Sequence, residues 1–168
     1  MTDPVSSQEF SLYTPEQRRR RDATRWTLVQ GILAPLQFLV FIVSLLLVIN
    51  FLSTGEGLAA ATWSVILKTS VLYTIMVTGA IWEKEVFGQY LFAPAFYWED
   101  MVSMLVIALH TAYLVTWLFE LAGPVTQMTI ALAAYAIYVV NAAQFLVKLR
   151  RARLESSTQP PPLQLVQS

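Results

Sequence analysis

The sequence contains no cysteine and only one histidine in 168 residues. Disulfides, cysteine-bound zinc, iron–sulfur clusters and thiol nucleophiles are therefore excluded, and one histidine without cysteine cannot build a catalytic zinc site of the usual kind. Charge is scarce too: Asp, Glu, Lys and Arg make up 13% of the chain and cancel to a net charge of zero. A soluble domain of this length would need more charge to cover its surface. The basic residues stand in two clusters beside hydrophobic runs rather than along a groove, so a nucleic-acid footprint is missing. A Gly-rich phosphate loop, a nucleophile elbow and an internal repeat are missing as well.

What the chain has is apolar surface. Hydrophobic residues make up 56% of it, above the roughly 45–50% of soluble proteins, and mean hydropathy is +0.54. Four apolar stretches, at 27–51, 58–82, 101–119 and 125–147, each come near the ~20 residues needed to cross a bilayer as a helix. The first is too long for the apolar part of a signal peptide, and no small-residue cleavage pattern follows it. The expected fold is all-α: an integral membrane protein built as a four-transmembrane-helix bundle over 26–148. Residues 1–25 read as a solvated basic arm with a short helix start at Pro15, and 149–168 as a basic stretch followed by a disordered Pro/Gln-rich tail.

Orientation follows from Lys and Arg, which collect in cytoplasmic loops. Arg18 to Arg21 and Arg25 precede the first span, Lys84 follows the second, and Lys148, Arg150, Arg151 and Arg153 follow the fourth. The two opposite connections hold only Glu56 and Glu120. Both termini are expected in the cytoplasm, with the chain crossing a bacterial inner membrane several times. Lys68 alone is left over, in the middle of the second span, where snorkelling or a hydrogen bond within the bundle would account for it.

Ionisable groups at membrane depth are costly, so each is a functional candidate. Glu99, Ser103, Val106, His110, Tyr113 and Trp117 recur at helical spacing on one face of the third span. Thr69, Tyr73, Met76, Ala80 and Glu83 do so on the second, and Tyr138, Asn141 and Phe145 on the fourth, with Gln144 beside them. Gln30, Gln37 and Ser44 are spaced by heptads on the first. The four stripes would either line a polar cavity or hydrogen-bond the helices to one another. Glu83, Glu85, Glu99 and Asp100 flank a connection rich in aromatic residues. Carboxyls beside so much apolar surface can become general acids at neutral pH, although aromatic belts at membrane surfaces are common. His110 can be a packing residue, a proton carrier or an axial ligand to a porphyrin-type metal.

Several long strings carry a resemblance. They are Tyr13 to Arg21 (YTPEQRRRR), Gly31 to Phe41, Gly79 to Asp100 (GAIWEKEVFGQYLFAPAFYWED), Leu109 to Leu114 and Tyr138 to Phe145. Over roughly 13–153 the chain resembles the 3-vinyl bacteriochlorophyllide hydratases of bacteriochlorophyll biosynthesis, called 2-vinyl in older ring numbering. The resemblance implies a hydro-lyase that adds water across the vinyl group of a chlorophyllide-type tetrapyrrole to give a 1-hydroxyethyl group. No redox cofactor is implied, and the magnesium belongs to the pigment. On that reading Glu83, Glu99 and Asp100 are the catalytic candidates, with Glu99 or Asp100 as acid. His110, Tyr113, Tyr138, Asn141 and Gln144 would line the pigment site. No protein-held metal is expected. Membrane lipid is an expected partner, and docking of other pigment-biosynthesis enzymes stays open. The alternative is a membrane protein that binds or carries chlorophyll intermediates without changing them. One tension is visible: Glu99 and His110 are eleven residues apart, about 16 Å along a helix, too far for both to act on one vinyl group and its ring metal.

Overall fold

The structure, a computed structural model, describes residues 12–158. It contains five helices in that range: α1 (Pro15–Ala23), α2 (Arg25–Thr54), α3 (Leu58–Phe87), α4 (Tyr97–Leu118) and α5 (Pro124–Thr158). The last four are long and apolar enough to cross a membrane. At 30 residues, α2 and α3 are each about 45 Å long, more than the roughly 30 Å hydrocarbon core.

α2 packs along α3, and α4 along α5, as two antiparallel hairpins that meet through the α2–α5 and α3–α4 faces. The first hairpin turns tightly because Gly55 and Gly57 both take left-handed backbone angles, φ 77° and 81°, that a Cβ would disfavour. The second turns at Gly123, with Pro124 as the first residue of α5, where a missing N–H leaves no intrahelical bond unmade. In α4 most of the residues whose spacing predicted one inward face do form it: Glu99, Ser103, Val106, His110 and Tyr113 are buried, while Trp117 at the end of the stripe is only half-buried. Gln37 and Ser44 are buried on α2 in the same way. The outward faces keep large apolar residues such as Leu39, Leu46, Leu67 and Val140 exposed, on helices whose length and composition would allow them to cross a membrane.

Several boundaries differ from expectation: α2 runs over Arg25–Thr54 rather than 27–51, and α3 continues to Phe87 rather than stopping at 82. α4 begins at Tyr97 rather than Met101, because the two carboxylates of its first turn suit the positive end of the helix dipole. α5 runs on through the basic stretch to Thr158, so the part of the expected tail up to that residue is helical; residues 159–168 lie outside the described range. The N-terminal segment is not simply a solvated arm. Thr14 caps α1 through the Gln17 N–H, and the Gln17 side chain accepts from the Thr14 N–H, a reciprocal capping box. Tyr13 is buried and stacked 5.8 Å from Phe87, which lays α1 against the end of α3. Residues 1–11 of the expected arm lie outside the described range.

Candidate functional site

The basic end of the bundle, where α1, the α3–α4 connection and the last turns of α5 meet, gathers the carboxyl candidates. α3 stops at Gly88, whose left-handed φ of 89° reverses the chain, and Lys84 Nζ donates to the Gly88 carbonyl at 2.8 Å. The chain then folds back across the bundle end before entering α4. The Phe92 N–H donates to Asp100 Oδ2 at 2.7 Å, and the Ala93 N–H to Glu83 Oε2 at 3.3 Å. Each buried carboxyl thus has one oxygen held by a backbone donor. The two carboxyls are also close enough to interact with each other. Two neighbouring buried carboxyls favour a proton on one of them, because like charges cannot both be held there cheaply. Glu83 of α3 and Asp100 of α4 therefore form a couple suited to giving one proton and taking another.

Glu99, the third sequence candidate, is differently placed. Its Oε2 lies 2.5 Å from Lys148 Nζ, and the same ammonium donates to the Ala95 carbonyl. Lys148 also stands 5.0 Å from the centre of the Phe96 ring. In the sequence Lys148 reads only as an orientation charge. The signal was present, since 138, 141, 145 and 148 are spaced three and four apart and Lys148 continues the stripe of Tyr138, Asn141 and Phe145. Around these groups Tyr13, Trp82, Phe87, Phe96 and Phe145 pack ring to ring at 5.7–6.4 Å. Trp82 is fixed by donating Nε1–H to Thr27 Oγ1 at 3.0 Å.

The other predicted residues form a second group deeper in the bundle. Asn141 Nδ2 donates to Ser103 Oγ at 2.8 Å, leaving its Oδ1 without a partner, as is Gln144 Oε1. Lys68 is fully buried, with Nζ unpartnered and 3.8 Å from the centre of the Tyr138 ring. It neither snorkels nor hydrogen-bonds. His110 uses Nδ1 to reach the Val106 carbonyl at 2.8 Å, an arrangement that makes Nδ1 the donor and leaves Nε2, which is unpartnered, as a lone pair. The His110 ring is 5.8 Å from that of Tyr135, whose hydroxyl bonds Ser44 at 2.6 Å. The Tyr113 hydroxyl lies against Thr62. Glu83 and Lys68 are fifteen residues apart on α3, about 22 Å, so the structure does not bring the two groups together. Tyr135 was not singled out from the sequence, where it reads as one more core aromatic.

Two carboxyls sharing a proton at the edge of an aromatic cluster can protonate an electron-rich double bond and then accept a proton from water. Residues 13–151 match the family of 2-vinyl bacteriochlorophyllide hydratases. The chain belongs to that family. The 2-vinyl bacteriochlorophyllide hydratase of Cereibacter sphaeroides is 72% identical over 145 residues, covering 86% of this chain and 89% of the relative. That of Rhodobacter capsulatus is 66% identical over 157 residues, 93% of this chain and 91% of its own length. No solved structure matches the chain. The hydratase family match covers α1 through most of α5, so the carboxyl couple and the deeper group both fall inside it.

Proposed function

We propose that this chain adds water across the vinyl group of a bacteriochlorophyllide, with Glu83 and Asp100 as its acid and base. The protonated carboxyl of the couple gives its proton to the terminal vinyl carbon. The cation this leaves on the inner carbon is stabilised by the adjoining macrocycle. Water adds there, and the carboxylate pair takes up the proton it loses, so the product carries a 1-hydroxyethyl group and the couple regains its single proton. Atoms and charge balance without any electron donor or acceptor. Enclosure by Phe96, Val86 and Ala93, all buried, keeps bulk water from competing for the proton. The observation that carries this reading is the nearness of two buried carboxyls on α3 and α4, each oriented by one backbone N–H. Glu99 is the less suitable acid because Lys148 holds it as an ion pair.

Orientation enters the same reading. Arg18 to Arg21, Arg25, Lys84, Lys148, Arg150, Arg151 and Arg153 fall at the end of the bundle that carries the couple, which supports placing that end and both termini on the cytoplasmic face of the inner membrane. Both relatives are named as hydratases, which sets aside a carrier that leaves the pigment unchanged.

A second reading is favoured by one observation, the unpartnered Nε2 of fully buried His110. Its Nδ1 bond to a backbone carbonyl is the orienting contact usual for a metal-ligating histidine. On that reading the pigment enters between the helices, its magnesium meets His110, and Tyr113, Tyr138, Asn141 and Gln144 line its edge. Changing each residue separates the readings: Asp100→Asn and Glu83→Gln should abolish turnover while pigment still binds, whereas His110→Leu should lose pigment binding only if the second reading is right.

A further inference from the structure

The segment that closes over the carboxyl couple carries aromatic side chains on its outer surface. Trp98 is 71% exposed, Tyr90 61% and Tyr97 45%. The Tyr97 ring stands edge-on to Trp98 at 5.6 Å and 5.8 Å from Phe92. Lys84 Nζ lies 5.3 Å from the Tyr90 ring. Exposed aromatics at a membrane surface are commonly a belt, but a belt does not account for Phe92. Its φ of 59° lies in the left-handed region, which a bulky side chain rarely occupies and which persists where the surrounding structure enforces it, often at functional sites. In that conformation one residue does two things: its N–H holds Asp100 at 2.7 Å, and its ring joins Tyr97 in the outer aromatic surface. The acid and the exposed rings are therefore fixed to each other by a single strained residue.

The geometry points to Phe92, Tyr97 and Trp98 as the docking surface for the flat face of the tetrapyrrole, with the vinyl-bearing edge directed past Phe92 to Asp100 and Glu83. This inference rests on the hydratase reading and adds to it the place where the substrate binds. Stacking on aromatic faces suits a macrocycle of extended π-surface. Lys84, at the rim beside Tyr90, supplies a cation for the pigment carboxylate. The open groove between α2 and α5, lined by Phe41, Leu45, Leu132 and Tyr135, has a volume of about 170 Å³ and holds no carboxyl. A ring lodged there would not meet the couple, whereas the rings of Tyr97 and Phe92 adjoin the residue that holds Asp100.

The test uses the full chain in membranes with 2-vinyl bacteriochlorophyllide, measuring turnover together with binding of the same pigment bearing an ethyl group in place of vinyl. The Tyr97→Ala, Trp98→Ala double variant should raise KM and the Kd of the ethyl pigment at least tenfold while kcat changes less than threefold. Asp100→Asn should do the reverse, losing kcat and keeping the Kd. If the double variant does not accumulate in the membrane, Trp98→Leu, which keeps apolar bulk without the ring system, should raise the Kd severalfold, and Trp98→Phe should restore most of it. Wild-type KM and Kd in the double variant, or in Trp98→Leu, would overturn the docking surface while leaving the hydratase reading intact if Asp100→Asn is inactive. Absence of hydration by the wild-type chain would instead remove the reading on which the surface rests.

Discussion

Lys148 Nζ and Glu99 Oε2 lie 2.5 Å apart, joining α5 to the first turn of α4. The contact does more than pair two charges. Through the Ala95 carbonyl the same ammonium holds the chain that leads back to Phe92 and Ala93, whose N–H groups orient the carboxyl couple. Its positive charge also offsets the negative charge of Glu99 beside Asp100.

Removing this ammonium should therefore impair both stability and activity. Lys148→Met leaves Glu99 buried without its partner, a loss of about 2–4 kcal/mol in partly desolvated pairs. Lys148→Arg, which keeps a cation, should recover most of it. Unfolding in detergent measures the first effect. The second is read from the pH–rate profile, which should move in the methionine variant and return toward wild type in the arginine variant; an unmoved profile would mean that Lys148 only anchors α5.

Lys68 should behave in the opposite way. It is fully buried, has no hydrogen-bond partner and rests on the Tyr138 ring. On membrane-insertion scales a cationic side chain at the centre of an apolar helix costs about 2.5–3.5 kcal/mol, and a cation–π contact returns only about 2 kcal/mol. Lys68→Met should fold with equal or greater thermal stability and hydrate pigment at close to the wild-type rate. Loss of turnover in a stable Lys68→Met would show that the deeper polar group takes part in the reaction.

Tyr13 pins α1 to the bundle, and its docking should depend on pH in one direction. Burial holds its hydroxyl above the ordinary value of about 10, against the opposing pull of Arg21. The docked segment thus keeps a proton that the free segment loses. The stabilisation is complete below pH 10 and declines as pH rises beyond it. Protease cleavage between Ala23 and Arg25 should increase in that alkaline range in the wild type. In Tyr13→Phe, which keeps the stacking on Phe87 but has no ionisable hydroxyl, the alkaline increase should vanish.

The periodic parts of this architecture are legible in the sequence, because a bundle interior sorts residues by helical spacing. Glu99, Ser103, Val106, His110 and Tyr113 fall on the inner face where their spacing put them, and four spans can be counted from hydropathy alone. What spacing could not reveal were contacts made by chain reversal. Nothing local says that Phe92 adopts a left-handed turn, or that its N–H ends on a carboxyl eight residues ahead. Lys148 lies 49 residues from Glu99, and its positive charge had a sufficient explanation in membrane orientation. Tyr13 was read as part of a solvated arm because its neighbours are arginines. Its burial depends on the rings of Phe87 and Phe96, far away in sequence.

The most direct test of the central claim is to supply membranes containing this chain with 2-vinyl bacteriochlorophyllide in water enriched in ¹⁸O, without nucleotide or reductant, and to weigh the pigment. A product heavier by one labelled water is expected in the wild type, and a rate lower by about 10²–10⁴ in Asp100→Asn and Glu83→Gln with pigment still bound. Wild-type labelling at an undiminished rate in both variants would contradict that claim, placing the proton transfers on other groups.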